Sequence, residues 1–171
     1  MEIAKCSTLY RVQVETPTES RPCHVSMFAG FREDPRNLYN GWTKNEKKFD
    51  SIFNRSTNAY MFGSVDIIEL FDDYGKENHI HSYTYDLAYP KAQYLDKSYL
   101  DKWVLKKFKT FLNHRPEENP NTIYFFHLMG SDTNGHKHGA ESKVYRNNVI
   151  IVDDIINEIE TLFNRYYKGT F

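Results

Sequence analysis

Apolar positions along the chain follow two rhythms. Val149, Val152, Ile155, Ile156, Ile159, Leu162 and Phe163 recur at three- and four-residue intervals. That spacing puts one apolar stripe on a helix and predicts a long amphipathic helix over residues 142–167. Leu100, Trp103, Val104, Phe108, Phe111 and Leu112 repeat the rhythm and predict a helix over 99–113, ended before Arg115-Pro116. The second rhythm is a continuous β-branched and aromatic run. Residues 123–130, bounded by Pro120 and Gly130, predict a buried strand.

Weaker patterns fill the rest. Residues 58–63 and 79–85 read as strands, and residues 7–14 alternate as a short strand. Residues 49–54 and 66–71 read as short helices. A further helix runs through His24 to Ala29 and stops at Gly30, with Thr18 as N-cap, Glu19 in the acid-favouring first turn, and Pro22 tolerated near the start. Strands alternating with helices predict an α/β layered domain with a mainly parallel sheet.

Composition narrows the function classes. The 171 residues suffice for one domain with a core, and 22 Lys plus Arg against 23 Asp plus Glu leave a net charge of −1. No basic field is available for nucleic acid, and no acidic tail for a basic partner. Aromatic residues at 16% favour a packed domain over disorder. The two cysteines, Cys6 and Cys23, are too few for a disulfide scaffold; a single bridge and free thiols both stay open. No apolar run reaches the ~20 residues of a membrane span, and Met1 to Lys5 lacks the apolar core of a signal peptide. Composition alone therefore predicts a soluble chain that is not exported.

Candidate chemistry gathers in two places. Asp132-Thr133-Asn134-Gly135-His136 follows the strand over 123–130, in the loop at the carboxyl edge where open α/β sheets bind ligands. A carboxylate and an imidazole four residues apart can share one metal ion, although an Asx turn is the commoner reading of such a loop Asp. Thr18 opens a helix whose first N–H groups and dipole favour an anion. Its hydroxyl needs a base or a metal to become a nucleophile, and an ordinary N-cap is the plainer reading. His24 and His138 lie near these segments and are candidates for metal ligands or phosphate contacts, whereas His127 reads as a core histidine.

Taken together, these segments resemble a family. Pro17-Thr18-Glu19-Ser20-Arg21-Pro22-Cys23-His24-Val25 resembles the nucleophile segment of the glycosylphosphatidylinositol (GPI) ethanolamine phosphate transferases, with Cys23 where the family usually reads Gly. Ala29-Gly30, Glu33-Asp34, Gly41-Trp42 and residues 49–54 resemble its next segment in the same order. Gly63-Ser64-Val65-Asp66-Ile67 is similar to its Gly-Ser-Pro-Asp-Ile, with Val65 in place of Pro. Residues 126–136, continued by 142–148, resemble its metal-binding segment.

The resemblance covers about residues 16–167 and implies an alkaline-phosphatase-like layered domain with two zinc ions, occupying residues 1–171 and incomplete at both ends. It implies Thr18 as a zinc-bound nucleophile, and Asp132 and His136 as ligands of one zinc. It implies transfer of phosphoethanolamine from phosphatidylethanolamine to the first mannose of the GPI-anchor precursor, on the luminal face of the endoplasmic reticulum membrane. The partners would be a lipid donor and a glycolipid acceptor, with membrane attachment through segments absent from this chain. Residues 1–15 contain no Asp for the family's first metal ligand, and the family's Ser-Asp-His-Gly segment does not occur. The expectation is thus a piece of the enzyme, inactive and poorly folded alone. Two other readings compete: a non-catalytic binding or regulatory fragment, and a broader zinc phosphodiesterase of the same superfamily. Asn54-Arg55-Ser56 fits an N-glycosylation acceptor and weakly supports a luminal location.

Overall fold

The computed structural model describes residues 10–14, 16–34, 36, 49–72, 78–85, 96–114 and 119–167. The chain forms two compact units, Met1–Phe49 and Asp50–Phe171, which are taken in turn.

In the first unit, helix α1 (Ser20–Ala29) ends at Gly30 in the left-handed conformation, φ 73°, where a residue without a β-carbon is favoured. The Gly30 N–H donates to the Ser26 carbonyl at 3.2 Å. Glu19, not Thr18, is the N-cap, and it makes no side-chain capping bond. Thr18 therefore stands one residue further out than its sequence suggests. Arg21 and Glu33 form a two-pronged ion pair, with Nε donating to Oε1 at 3.0 Å and to Oε2 at 3.2 Å, and both side chains nearly buried. This clasp ties the first turn of α1 to the segment after Gly30. Residues 10–14 form no strand, and Tyr10, Val12 and Val14 are exposed. The remainder of the expected strand, residues 7–9, lies outside the described residues.

The second unit is built on three parallel strands in the order β2–β1–β3. They are β1 (Asn58–Ser64), β2 (Ile80–Tyr85) and β3 (Thr122–Phe126). Ala59 pairs with Ile80 on one side and Ile123 on the other. β1 is central and buried from Ala59 to Ser64, as a parallel strand covered on both faces must be. One face carries Tyr60, Phe62, Tyr124 and Phe126 against helices α3 (Ser98–Leu112) and α5 (Lys143–Tyr166) through Val104, Phe108, Phe111, Ile155 and Ile159. Each fully buried side chain of this size contributes roughly 1.5–3 kcal/mol. Tyr124 and Tyr167 join their hydroxyls at 2.6 Å and fix the end of α5 to β3. On the other face Phe53 meets Phe71 and Phe125 at ring-centroid distances of 5.0 and 5.6 Å. The layered α/β class and the parallel sheet are those the sequence predicts, consistent with an alkaline-phosphatase-like domain.

Three expectations change. Residues 52–55 form a turn and not a helix, because Ser51 Oγ donates to Asn54 Oδ1 at 2.6 Å and accepts the Asn54 N–H at 3.4 Å. Side chains that bond locally in this way compete with the helix ladder. The short helix after β1 is only α2 (Val65–Ile68). On α5, Val149 and Ile156 are exposed, while Ile155 and Ile159 carry the burial. No helix among the described residues is long and apolar enough to cross a membrane.

Candidate functional site

Because β1, β2 and β3 are parallel, their carboxyl ends share one edge. At that edge β1 runs straight into α2, and the Ser64 hydroxyl donates to the Asp66 carboxylate. β3 continues through His127, whose N–H donates to the Phe62 carbonyl at 2.9 Å. Helix α4 (Gly130–His138) then begins. The sequence reads this stretch as a loop; the structure makes it a nine-residue helix. Gly-Ser-Asp-Thr-Asn-Gly-His-Lys-His has no apolar rhythm, so periodicity gives no signal for it.

The helix changes what the motif can do. Asp132 and His136 lie one turn apart on one face, as residues i and i+4 must. His136 Nε2 stands 3.5 Å from Asp132 Oδ1, with the two side chains 83% and 52% exposed. His138 closes the helix and is half-buried. An exposed carboxylate oxygen and imidazole nitrogen converging at this distance are a donor pair suited to zinc. A catalytic zinc usually takes three protein ligands. Among the described residues no group of three or more His, Cys, Asp or Glu converges. The pair fits such a metal by its chemistry and could offer two of the donors that it needs.

The other expected site residues belong to Met1–Phe49. Thr18 is exposed, immediately before the N-cap of α1. His24 Nδ1 lies 2.6 Å from the Ser20 carbonyl, which can only accept, so that nitrogen carries a proton. Cys23, half-buried in α1, is a free thiol; Cys6 lies outside the described residues. The Asn54-Arg55-Ser56 acceptor sits in the tight turn described above. Its Ser56 is buried and donates to the Phe53 carbonyl at 2.8 Å, so the folded turn offers that serine poorly to a modifying enzyme.

Sequence reading missed the polar centre beneath α4. Asp101 on α3 is fully buried. It accepts the Gly130 N–H at 2.9 Å and the Asn148 side-chain amide at 2.8 Å. Asn134, also fully buried, donates to Asn148 and to Asp96, and its carbonyl oxygen accepts the Lys97 N–H at 3.0 Å. Burial pushes the Asp101 carboxyl up, with the Asn148 and Gly130 hydrogen bonds opposing it. Nearby Tyr85 is buried at the end of β2, and its hydroxyl has no hydrogen-bond partner among the described residues. Burial raises that phenol strongly, and the Asp101 and Asp66 charges add to the shift.

The chain has counterparts among known proteins. It is 38% identical over 167 residues to GPI ethanolamine phosphate transferase 1 of Homo sapiens, covering 91% of this chain and 18% of that protein. It is 37% identical over 159 residues to the Mus musculus protein of the same name, covering 88% and 17%. To the Schizosaccharomyces pombe protein of that name it is 34% identical over 162 residues, covering 90% and 17%. The chain thus spans less than a fifth of the length of these relatives. No family model and no solved structure matches it.

Proposed function

Because this chain belongs, over the segment it covers, to the GPI ethanolamine phosphate transferase 1 family, we propose that it carries part of the catalytic centre of a phosphoethanolamine transferase of the alkaline phosphatase superfamily. The observation that carries this reading is the convergence of Asp132 and His136 on the exposed face of α4 at the sheet's carboxyl edge. Asp132 and His136 are residues that would hold zinc, and Thr18 is the nucleophile that the family resemblance implies. The metal would supply Lewis acidity and lower the pKa of a bound hydroxyl.

The remaining steps belong to the chain and its substrates. Thr18 Oγ1 forms a bond to the phosphorus of phosphatidylethanolamine as the bond from phosphorus to the diacylglycerol oxygen breaks. The enzyme then carries phosphoethanolamine on Thr18. A hydroxyl of the first mannose of the GPI precursor attacks that phosphorus, and the threonine oxygen leaves. In the first step the Thr18 hydroxyl proton ends on the departing diacylglycerol oxygen, and in the second the mannose hydroxyl proton ends on the departing threonine oxygen. Placement of Thr18 just ahead of the α1 N–H groups favours the negative charge on the phosphoryl oxygens. His24 and His138 are the candidates for substrate contacts. Both lipid substrates put the reaction at a membrane, and the luminal face of the endoplasmic reticulum is the location this reading carries.

The test is transfer of labelled ethanolamine phosphate to the GPI precursor by the intact protein containing this sequence. Thr18→Ala, Asp132→Asn and His136→Ala should each lower transfer at least a hundredfold. Full transfer by Thr18→Ala would remove threonine from the mechanism.

A further inference from the structure

The rotation of α4 about its own axis decides where Asp132 and His136 point, and the structure shows what sets it. In a helix, successive residues turn by about 100°. Gly130 and Asn134 therefore share one side, and Asp132 and His136 stand about 200° away on the other. The first side is held from below at two levels. At Gly130, the backbone N–H donates to Asp101 at 2.9 Å. A β-carbon at this position would lie 2.1 Å from Asp101 Oδ2 and 2.8 Å from Asn148 Oδ1. One turn later, Asn134 donates to Asn148 and Asp96 and accepts from the Lys97 backbone. Asn148 closes the chain by donating to Asp101 at 2.8 Å.

We infer that Asp101, Asn148 and Asn134 are positioning residues: a buried hydrogen-bonded chain across α3, α4 and α5 that fixes the roll of α4 and so aims Asp132 and His136 at their metal. Apolar packing alone leaves such a roll loosely defined, because side chains can slide. Directional bonds at two levels do not permit it. The helix has no apolar stripe of its own that could set the roll, since its buried residues are Gly130 and Asn134. The inference rests on the proposed metal role of Asp132 and His136.

The test compares zinc affinity, by competition with a chromophoric chelator, and amide hydrogen exchange over 131–138, in the intact protein. The variants are Asn148→Leu, which keeps volume and removes the bonds, and the milder Asp101→Asn. Ile159→Ala, a core truncation about three turns further along α5, is the control for general destabilisation. Asn148→Leu should weaken zinc binding ten- to a hundredfold, as loss of a supporting partner does elsewhere, and speed exchange in α4. Asp101→Asn should lie between it and wild type. Ile159→Ala should stay within twofold of wild type on both readouts. Equal losses in Ile159→Ala, or an unchanged Asn148→Leu, overturn the inference. Zinc binding by Asp132→Asn equal to wild type would instead remove the metal role. The exchange data then decide the positioning claim alone, in favour if only the Asn148 and Asp101 variants free α4, and against if they do not.

Discussion

Gly63 and His127 meet at the carboxyl edge of the sheet so closely that a β-carbon at position 63 would lie 2.6 Å from the His127 β-carbon and 2.9 Å from its carbonyl oxygen. Gly63 also holds φ at 150°, a conformation other residues rarely adopt. The crowding follows from the bond between the His127 N–H and the Phe62 carbonyl, which carries the β1–β3 pairing past the end of β3. Gly63→Ala is expected to cost roughly 2–5 kcal/mol from strain and overlap together. The measurement is the urea midpoint at unchanged slope. A loss below about 0.5 kcal/mol would show that β1 and β3 move apart freely.

The Arg21–Glu33 pair predicts a local effect. Removing one partner takes this ion pair away from a nearly buried charge, and breaking a buried pair costs about 3–5 kcal/mol in other proteins. Glu33→Gln should therefore expose the α1 amides to hydrogen exchange while strands β1 to β3 keep their protection. Unchanged exchange in α1 would mean that the pair contributes nothing to holding the helix.

Tyr85 predicts an unusual sign. A buried tyrosine normally loses about 1 kcal/mol when its hydroxyl is removed, because a hydrogen bond goes with it. The Tyr85 hydroxyl has no such bond among the described residues, so Tyr85→Phe should leave the melting temperature unchanged or raise it. A fall of several degrees would reveal an acceptor for that hydroxyl.

Asp101 predicts a pH dependence. Burial raises its carboxyl above the ordinary value, so the folded protein keeps this proton at pH values where the unfolded chain has released it. The folded state is favoured by this group below the ordinary carboxylate value, and that contribution is lost as pH rises through the raised one. Asp101→Asn has no titration there. Wild type should lose stability relative to the variant across that window, and the difference should be flat above it. A difference constant from about pH 3 to 8 would contradict the shift.

How far the sequence could be read depended on what held each element. Helices α3 and α5 announced themselves because Leu100, Val104, Phe108, Ile155 and Ile159 bury an apolar stripe. β1 and β3 were legible as apolar runs for the same reason. Helix α4 was not, since Gly130 and Asn134 hold it through polar bonds to residues 29 and 14 positions away, and such partners leave no local rhythm. The Arg21–Glu33 clasp is hidden likewise, one charge pair among many. Residues 49–54 misled in the opposite direction: their apolar spacing suits a helix, but Ser51 and Asn54 bond to each other. The Asp132–His136 pair was legible as a spacing, and the helix that sets the two side chains one turn apart on one exposed face was not.

Thr18 as the carrier of the transferred group has a direct physical signature. The intact protein is incubated with phosphatidylethanolamine and no mannose acceptor, quenched in acid, digested and analysed by mass spectrometry. Phosphoethanolamine is expected on the peptide containing Thr18, with fragment ions placing it on that residue, and it should disappear when a GPI precursor is added. Transfer that proceeds with no modified Thr18 peptide, or with the group on another residue, would contradict a threonine-borne intermediate.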